Sequence, residues 1–177
     1  MTTMATDLSY PVGRFDQHAP TTAESRRKAS DDIASLPAKM RAAVAGLTDA
    51  QLNTPYRPGG WTVRQLVHHV ADSHMNGYIR LKLALTEDSP TIKPYEQDKW
   101  ALLPDSRLPI ETSLKILDAV HERWTTIWQS VTDRQLERTF MHPELGSLTL
   151  DTHLHLYGWH SRHHVAHITA LREREGW

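Results

Sequence analysis

The chain has 177 residues, 39% hydrophobic and 23% charged, with no cysteine and a net charge of −1. That size and balance suit one globular domain spanning 1–177, with a substantial buried core. The lack of cysteine excludes disulfides, thiolate ligands and a cysteine nucleophile, and the near-neutral charge gives nucleic acid or an anionic membrane no electrostatic footing as a partner.

Residues 1–20 read as irregular, broken by Pro11, Gly13 and Pro20. They hold no apolar signal-peptide core, and no stretch of the chain approaches the ~18 apolar residues of a membrane span, so a cytoplasmic location is expected. Over Ala23 to about Ala45, Ile33, Leu36, Met40 and Val44 recur at helical spacing behind Thr22, a suitable N-cap. Pro37 inside this stretch predicts a kink or a break. Thr48 and Gln51 form a capping-box pattern for a short turn over 47–52.

Pro58, Gly59 and Gly60 stop the chain, and Thr62 with Gln65 restarts it as a second helix from Val63 to about Leu85. Residues 86–108 contain Pro90, Pro94 and Pro104 and read as a long connection, of the kind that often walls a pocket. A third helix is expected from about Pro109 to Val131, with Ile110, Leu114, Leu117, Val120, Trp124, Trp128 and Val131 as its apolar stripe. A small hairpin or turn follows near 139–148, around Gly146, and a last helix covers about Leu150 to Arg174. Four amphipathic helices without a run of strands predict an all-α four-helix bundle, a fold whose core commonly builds metal sites from facing helices.

Histidine is the residue that stands out. The last helix carries His160, His163, His164 and His167. At 100° per residue, with Leu150 as origin, His164 lies about 40° and His160 about 80° to one side of the buried stripe. His163 is about 140° away, His155 faces solvent at a similar angle on the other side, and His167 is intermediate. His160 and His164 thus form an i,i+4 pair on one inward edge, a spacing at which two imidazoles converge on one ion. His163 and His167 share that spacing but not that direction. In the second helix His74 lies near the centre of the apolar stripe, with His69 and His68 on opposite flanks. Periodicity prefers His74 as a third ligand and His69 second, and both remain open. "HERWT" (121–125) opens like a zinc-protease motif but lacks its second histidine. No GxSxG elbow and no P-loop occur. Trp61, Trp124, Trp128 and Trp159 suit pocket walls or, more simply, core.

The segments "LSYPVGRF", "YRPGGWTVRQLVHHVADSHMN", "LALTEDSPTIKPYEQDKWALL" and "WHSRHHVAHI" resemble the YfiT-like metal-dependent hydrolases of the DinB superfamily, over nearly the whole chain. The resemblance implies a four-helix bundle, commonly a homodimer, holding one divalent metal per chain, Zn²⁺ or Ni²⁺, on three histidines. Carried over by position, these are His69, His160 and His164. Here His69 takes precedence over the His74 that periodicity prefers. Three imidazoles with open positions have the form of a catalytic zinc site, with metal-bound water as the expected nucleophile on a small-molecule substrate, and Asp72 as a candidate hydrogen-bond acceptor behind His69. No side chain is singled out as general base. The alternatives are transfer of a low-molecular-weight thiol of the bacillithiol or mycothiol type, and a non-catalytic metal-binding bundle that would lack a substrate-sized cavity.

Overall fold

The computed structural model describes residues 7–177. Residues 7–20 form turns without regular structure, as expected of the irregular N-terminal segment, whose residues 1–6 lie outside the described residues. The elements in order are α1 (Ala23–Val44), α2 (Asp49–Leu52), α3 (Val63–Thr86), α4 (Gln97–Trp100), a 3₁₀ turn (Pro104–Arg107), α5 (Glu111–Trp128), α6 (Asp133–Leu136), β1 (Thr139–His142), β2 (Gly146–Thr149) and α7 (Leu150–Glu175). The long helices α1, α3, α5 and α7 make a four-helix bundle in which α1 packs on α7 and α5, and α3 packs on α5 and α7. Among the described residues no helix is long and apolar enough to cross a membrane.

Local chemistry explains where the helices begin. Thr22, Thr48, Thr62 and Thr132 each accept a bond from the backbone three residues on, and the side chain at that third position, Ser25, Gln51, Gln65 or Gln135, returns one to the cap. Each pair satisfies two backbone donors that a helix start leaves free. The last of these boxes starts α6, and α5 ends at Trp128, three residues before the expected Val131. The long connection is pinned at both ends. Ile92 and Met141 exchange backbone bonds across it with Pro90 (Ile92 N to Met141 O 3.0 Å, Met141 N to Pro90 O 2.9 Å), and Gln65 donates to Ala101 O at 2.9 Å. β1 and β2 pair antiparallel from Thr139↔Thr149 to His142↔Gly146, with Gly146 at φ 78° supplying the turn.

Pro37 does not break α1, which runs unbroken from Ala23 to Val44. Proline removes the N–H that would serve the carbonyl four residues earlier, at Ile33. His121 on α5 supplies the replacement, its Nδ1 lying 2.7 Å from Ile33 O.

The apolar interior has two clusters. One gathers Ile33, Leu81, Trp124, Phe140, Leu150 and Tyr157, the other Leu36, Met40, Leu66, Leu117, Ile168 and Leu171. Each helix passes from one cluster to the other at a polar step, and on three of them that step is histidine: His74 on α3, His121 on α5, and His160 with His164 on α7. A histidine layer therefore crosses the bundle at mid-height.

Candidate metal centre

α3 delivers His69 and α7 delivers His160 and His164 to one point, where a ligand nitrogen from each lies within 4.8 Å of the other two. The i,i+4 pair of α7 is closest, with Nε2 to Nε2 at 3.0 Å. Two nitrogens on one tetrahedral ion, each about 2.0–2.1 Å from it, stand roughly 3.3 Å apart, so this pair needs little movement to share one. His69 meets the His164 ring edge-on, with centroids 5.0 Å apart, and no protein group hydrogen-bonds to its ring nitrogens among the described residues. His164 Nδ1 is buried and unpartnered.

Burial also sets the charge state. It lowers the His69 pKa to about 4 and those of His160 and His164 well below the usual value, each further depressed by neighbouring histidines. At neutral pH the three rings are neutral, the form that ligates. The donor set thus fits a borderline-soft divalent ion such as zinc or nickel, by its all-imidazole chemistry and by its separations.

The histidines around the trio have other work. His74, which periodicity prefers, is fully buried (0% exposed) but bonded on both sides, Nδ1 to His121 Nε2 and Nε2 to His160 Nδ1, each at 2.9 Å. Hydrophobic periodicity found its burial and not its role. His68, next to the candidate ligand, is committed elsewhere: its Nε2 donates to Leu108 O (3.0 Å) and its Nδ1 accepts from Ser113 Oγ (2.7 Å).

His163 and His167 are buried, although helical direction sets His163 about 140° from the buried stripe and His167 at an intermediate angle. The apolar stripe of α7 could not reveal this, because residues outside the bundle cover the second face. The N-terminal segment crosses it, with Trp159 Nε1 donating to Gly13 O (2.9 Å) and His167 Nε2 to Ser9 O (3.3 Å). Tyr56 stacks on His167 at 4.1 Å and Trp159 on His163 at 4.4 Å. His163, His164 and His167 also bring ligand nitrogens within 4.8 Å, a second grouping that shares His164 with the first. His155 does not face open solvent either; it is half-buried between Ser25 Oγ (2.9 Å) and Asp151 O (2.8 Å). Asp72 makes no hydrogen bond to His69, so it does not orient that ring; burial raises its pKa to about 6, helped by Asp105.

The trio opens onto a cavity of about 440 Å³ lined by Tyr10, Tyr56, Arg57, Trp61 and Trp159 as well as the histidines. Trp61 lies against His69 at 4.5 Å. A second cavity of about 900 Å³ shares Gln97, Asp98 and His160 as walls and adds Arg80, Tyr95 and Lys99. The 86–108 connection therefore walls both, as its length suggested, whereas His142 and Glu144 of the hairpin wall only the larger. Of the tryptophans, Trp61 and Trp159 line the site, while Trp124 and Trp128 fill the core.

A helical bundle that places an all-imidazole set of candidate ligands beside an aromatic cavity has the form of a metal-binding bundle. The sequence pattern of the DinB superfamily matches residues 33–168, and the chain belongs to that superfamily. It is 54% identical over 171 residues, 97% of this chain and 99% of the relative, to a Bacillus cereus protein named "Putative metal-dependent hydrolase", and equally to a like-named protein of Bacillus mycoides. YfiT from Bacillus subtilis, described as "a probable metal-dependent hydrolase with an unusual four-helix bundle topology", superposes with a TM-score of 0.92 at 48% identity, covering 97% of this chain and 99% of that one. TT2238, a four-helix bundle protein, shares the fold at 22% identity and a TM-score of 0.57, over 82% of this chain and 98% of its own.

Proposed function

We propose that the chain is a metal-dependent hydrolase of a small substrate, with one zinc or nickel ion held by His69, His160 and His164. The observation that carries this reading is the convergence of three neutral imidazoles, buried at His69 and His164 and half-buried at His160, at the wall of a substrate-sized cavity. When bound, the ion supplies Lewis acidity, which polarises a carbonyl and brings the pKa of water toward 7. The chain supplies the rest. Trp61 packs on His69 and limits its rotation, Tyr56, Tyr10 and Trp159 offer flat apolar walls, and Arg57 offers a cation to an anionic substrate group.

A cavity of about 440 Å³ falls within the range for small-ligand sites, and a store or structural bundle has no use for it. The test is turnover by zinc- or nickel-loaded protein against a panel of small esters, amides and lactams, run beside thiol conjugation with bacillithiol and mycothiol. Hydrolysis that is lost in His160→Ala supports the proposal. Conjugation without hydrolysis would replace it with thiol transfer. The homodimer implied by the resemblance belongs to the same proposal, and light scattering giving twice the chain mass is the expected result.

A further inference from the structure

We propose that His74 and His121 act as positioning residues which fix the proton of His160 on Nδ1, so that its Nε2 lone pair faces the metal. The inference rests on His160 being a ligand, but the proton order itself is argued from hydrogen bonds and burial.

The order starts at a backbone atom. Pro37 leaves Ile33 O without its helical donor, and His121 Nδ1 lies 2.7 Å from that oxygen. A carbonyl only accepts, so Nδ1 carries the hydrogen. The ring is 1% exposed and burial lowers its pKa to about 4, so it is neutral and its Nε2 accepts. His74 Nδ1, 2.9 Å from that Nε2, is then the donor. His74 is fully buried too, packed against the Trp124 and Tyr157 rings with imidazoles as its hydrogen-bond partners and no carboxylate to balance a charge, so it is a neutral ring and its Nε2 accepts in turn. The group 2.9 Å from it is His160 Nδ1, which therefore carries hydrogen and leaves Nε2 as the lone-pair nitrogen. That Nε2 is the atom 3.0 Å from His164 Nε2, on the side where the three candidate ligands meet. Reversing any one bond would place two hydrogens or two lone pairs face to face further along, in a buried layer with no other partners for these nitrogens. The arrangement extends the hydrogen-bonded outer partner usual behind a metal-bound histidine through two further imidazoles to the main chain.

The test uses the full chain, labelled with ¹⁵N and stripped of metal, and reads ring tautomers from two-bond ¹H–¹⁵N correlations assigned with single His→Gln variants. The expected pattern is neutral Nδ1–H rings at His121, His74 and His160; an Nε2–H ring at His160 would overturn the proposal. Zinc affinity is then compared between His74→Gln and His74→Leu, with folding checked by thermal melting. Glutamine can donate to His121 Nε2 through its amide nitrogen and accept from His160 Nδ1 through its oxygen, which leucine cannot. We expect His74→Leu to bind zinc about ten- to a hundredfold more weakly and His74→Gln to stay near wild type. Equal losses in the two variants, or none in either, would contradict the positioning role. Failure of wild-type protein to bind zinc would instead overturn the ligand assignment, and the tautomer spectrum would still decide the proton order.

Discussion

Two adjacent histidines show how residue type and position divide structural from chemical work. His68 ties α3 to the start of α5 through Ser113 and Leu108, whereas His69 makes no such tie and turns toward His160 and His164. We expect His68→Ala to cost about 1–3 kcal/mol of stability, from the buried Ser113 hydroxyl it leaves unpaired, while binding metal as wild type does. His69→Ala should do the reverse, leaving the melting midpoint of metal-free protein nearly unchanged and abolishing uptake. Paired melts and metal titrations of the two variants check both halves. At this scale the sequence was legible in part. The i,i+4 direction of His160 and His164 could be read from α7 alone, but His69 required the resemblance, because a buried polar flank carries no hydrophobic signal. His121 went unrecognised although its position, four after Leu117 and three before Trp124, falls on the stripe of α5. The clue was Pro37, which announces a carbonyl in need of a donor.

At the scale of elements, helix starts and the apolar faces follow from local spacing, and α3 begins where Thr62 and Gln65 place it. What local spacing could not give was how closely the helices approach. A Cβ at Gly77 would lie 2.4 Å from Tyr157 Cζ and 2.8 Å from Trp124 Cη2, and one at Gly158 would lie 2.8 Å from Ala29 Cα. These glycines let α7 sit against α3 and α1, and so bring His160 within reach of His74. We expect Gly77→Ala to destabilise the chain by about 1–3 kcal/mol through overpacking, despite alanine's better helix propensity. Chemical denaturation of the two proteins measures this, and an unchanged midpoint would mean that Tyr157 moves aside freely. The irregular elements were the least legible. The cover of α7 by the N-terminal segment and by Tyr56 depends on contacts far apart in sequence, which periodicity within one helix does not encode.

For the molecule as a whole, a layer of neutral histidines across the bundle ties stability to pH. His121 and His153 are buried, with pKa values lowered to about 4 and about 3, mainly by loss of water. Near pH 7 both are neutral folded or unfolded. As pH falls through about 6.5 the unfolded chain takes up protons that the folded one refuses, so stability declines. At about 1.4 kcal/mol per pH unit, each group should remove roughly 2 kcal/mol by pH 5. Metal-free protein should therefore melt at progressively lower temperature from pH 7 to 5, and a flat profile would show that these rings are not buried neutral. Four-helix architecture and the helices that carry the candidate ligands could be read from the sequence, whereas the continuous histidine layer exists only once α3, α5 and α7 are assembled.

The most direct measurement is the metal content of purified, untagged protein after reconstitution with Zn²⁺ or Ni²⁺, made on wild type, His164→Ala and His163→Ala. One ion per chain in wild type and in His163→Ala, with none in His164→Ala, is what the His69, His160 and His164 site requires. Retention in His164→Ala, or loss in His163→Ala with His69→Ala still loaded, would move the ion away from that trio and contradict the assignment.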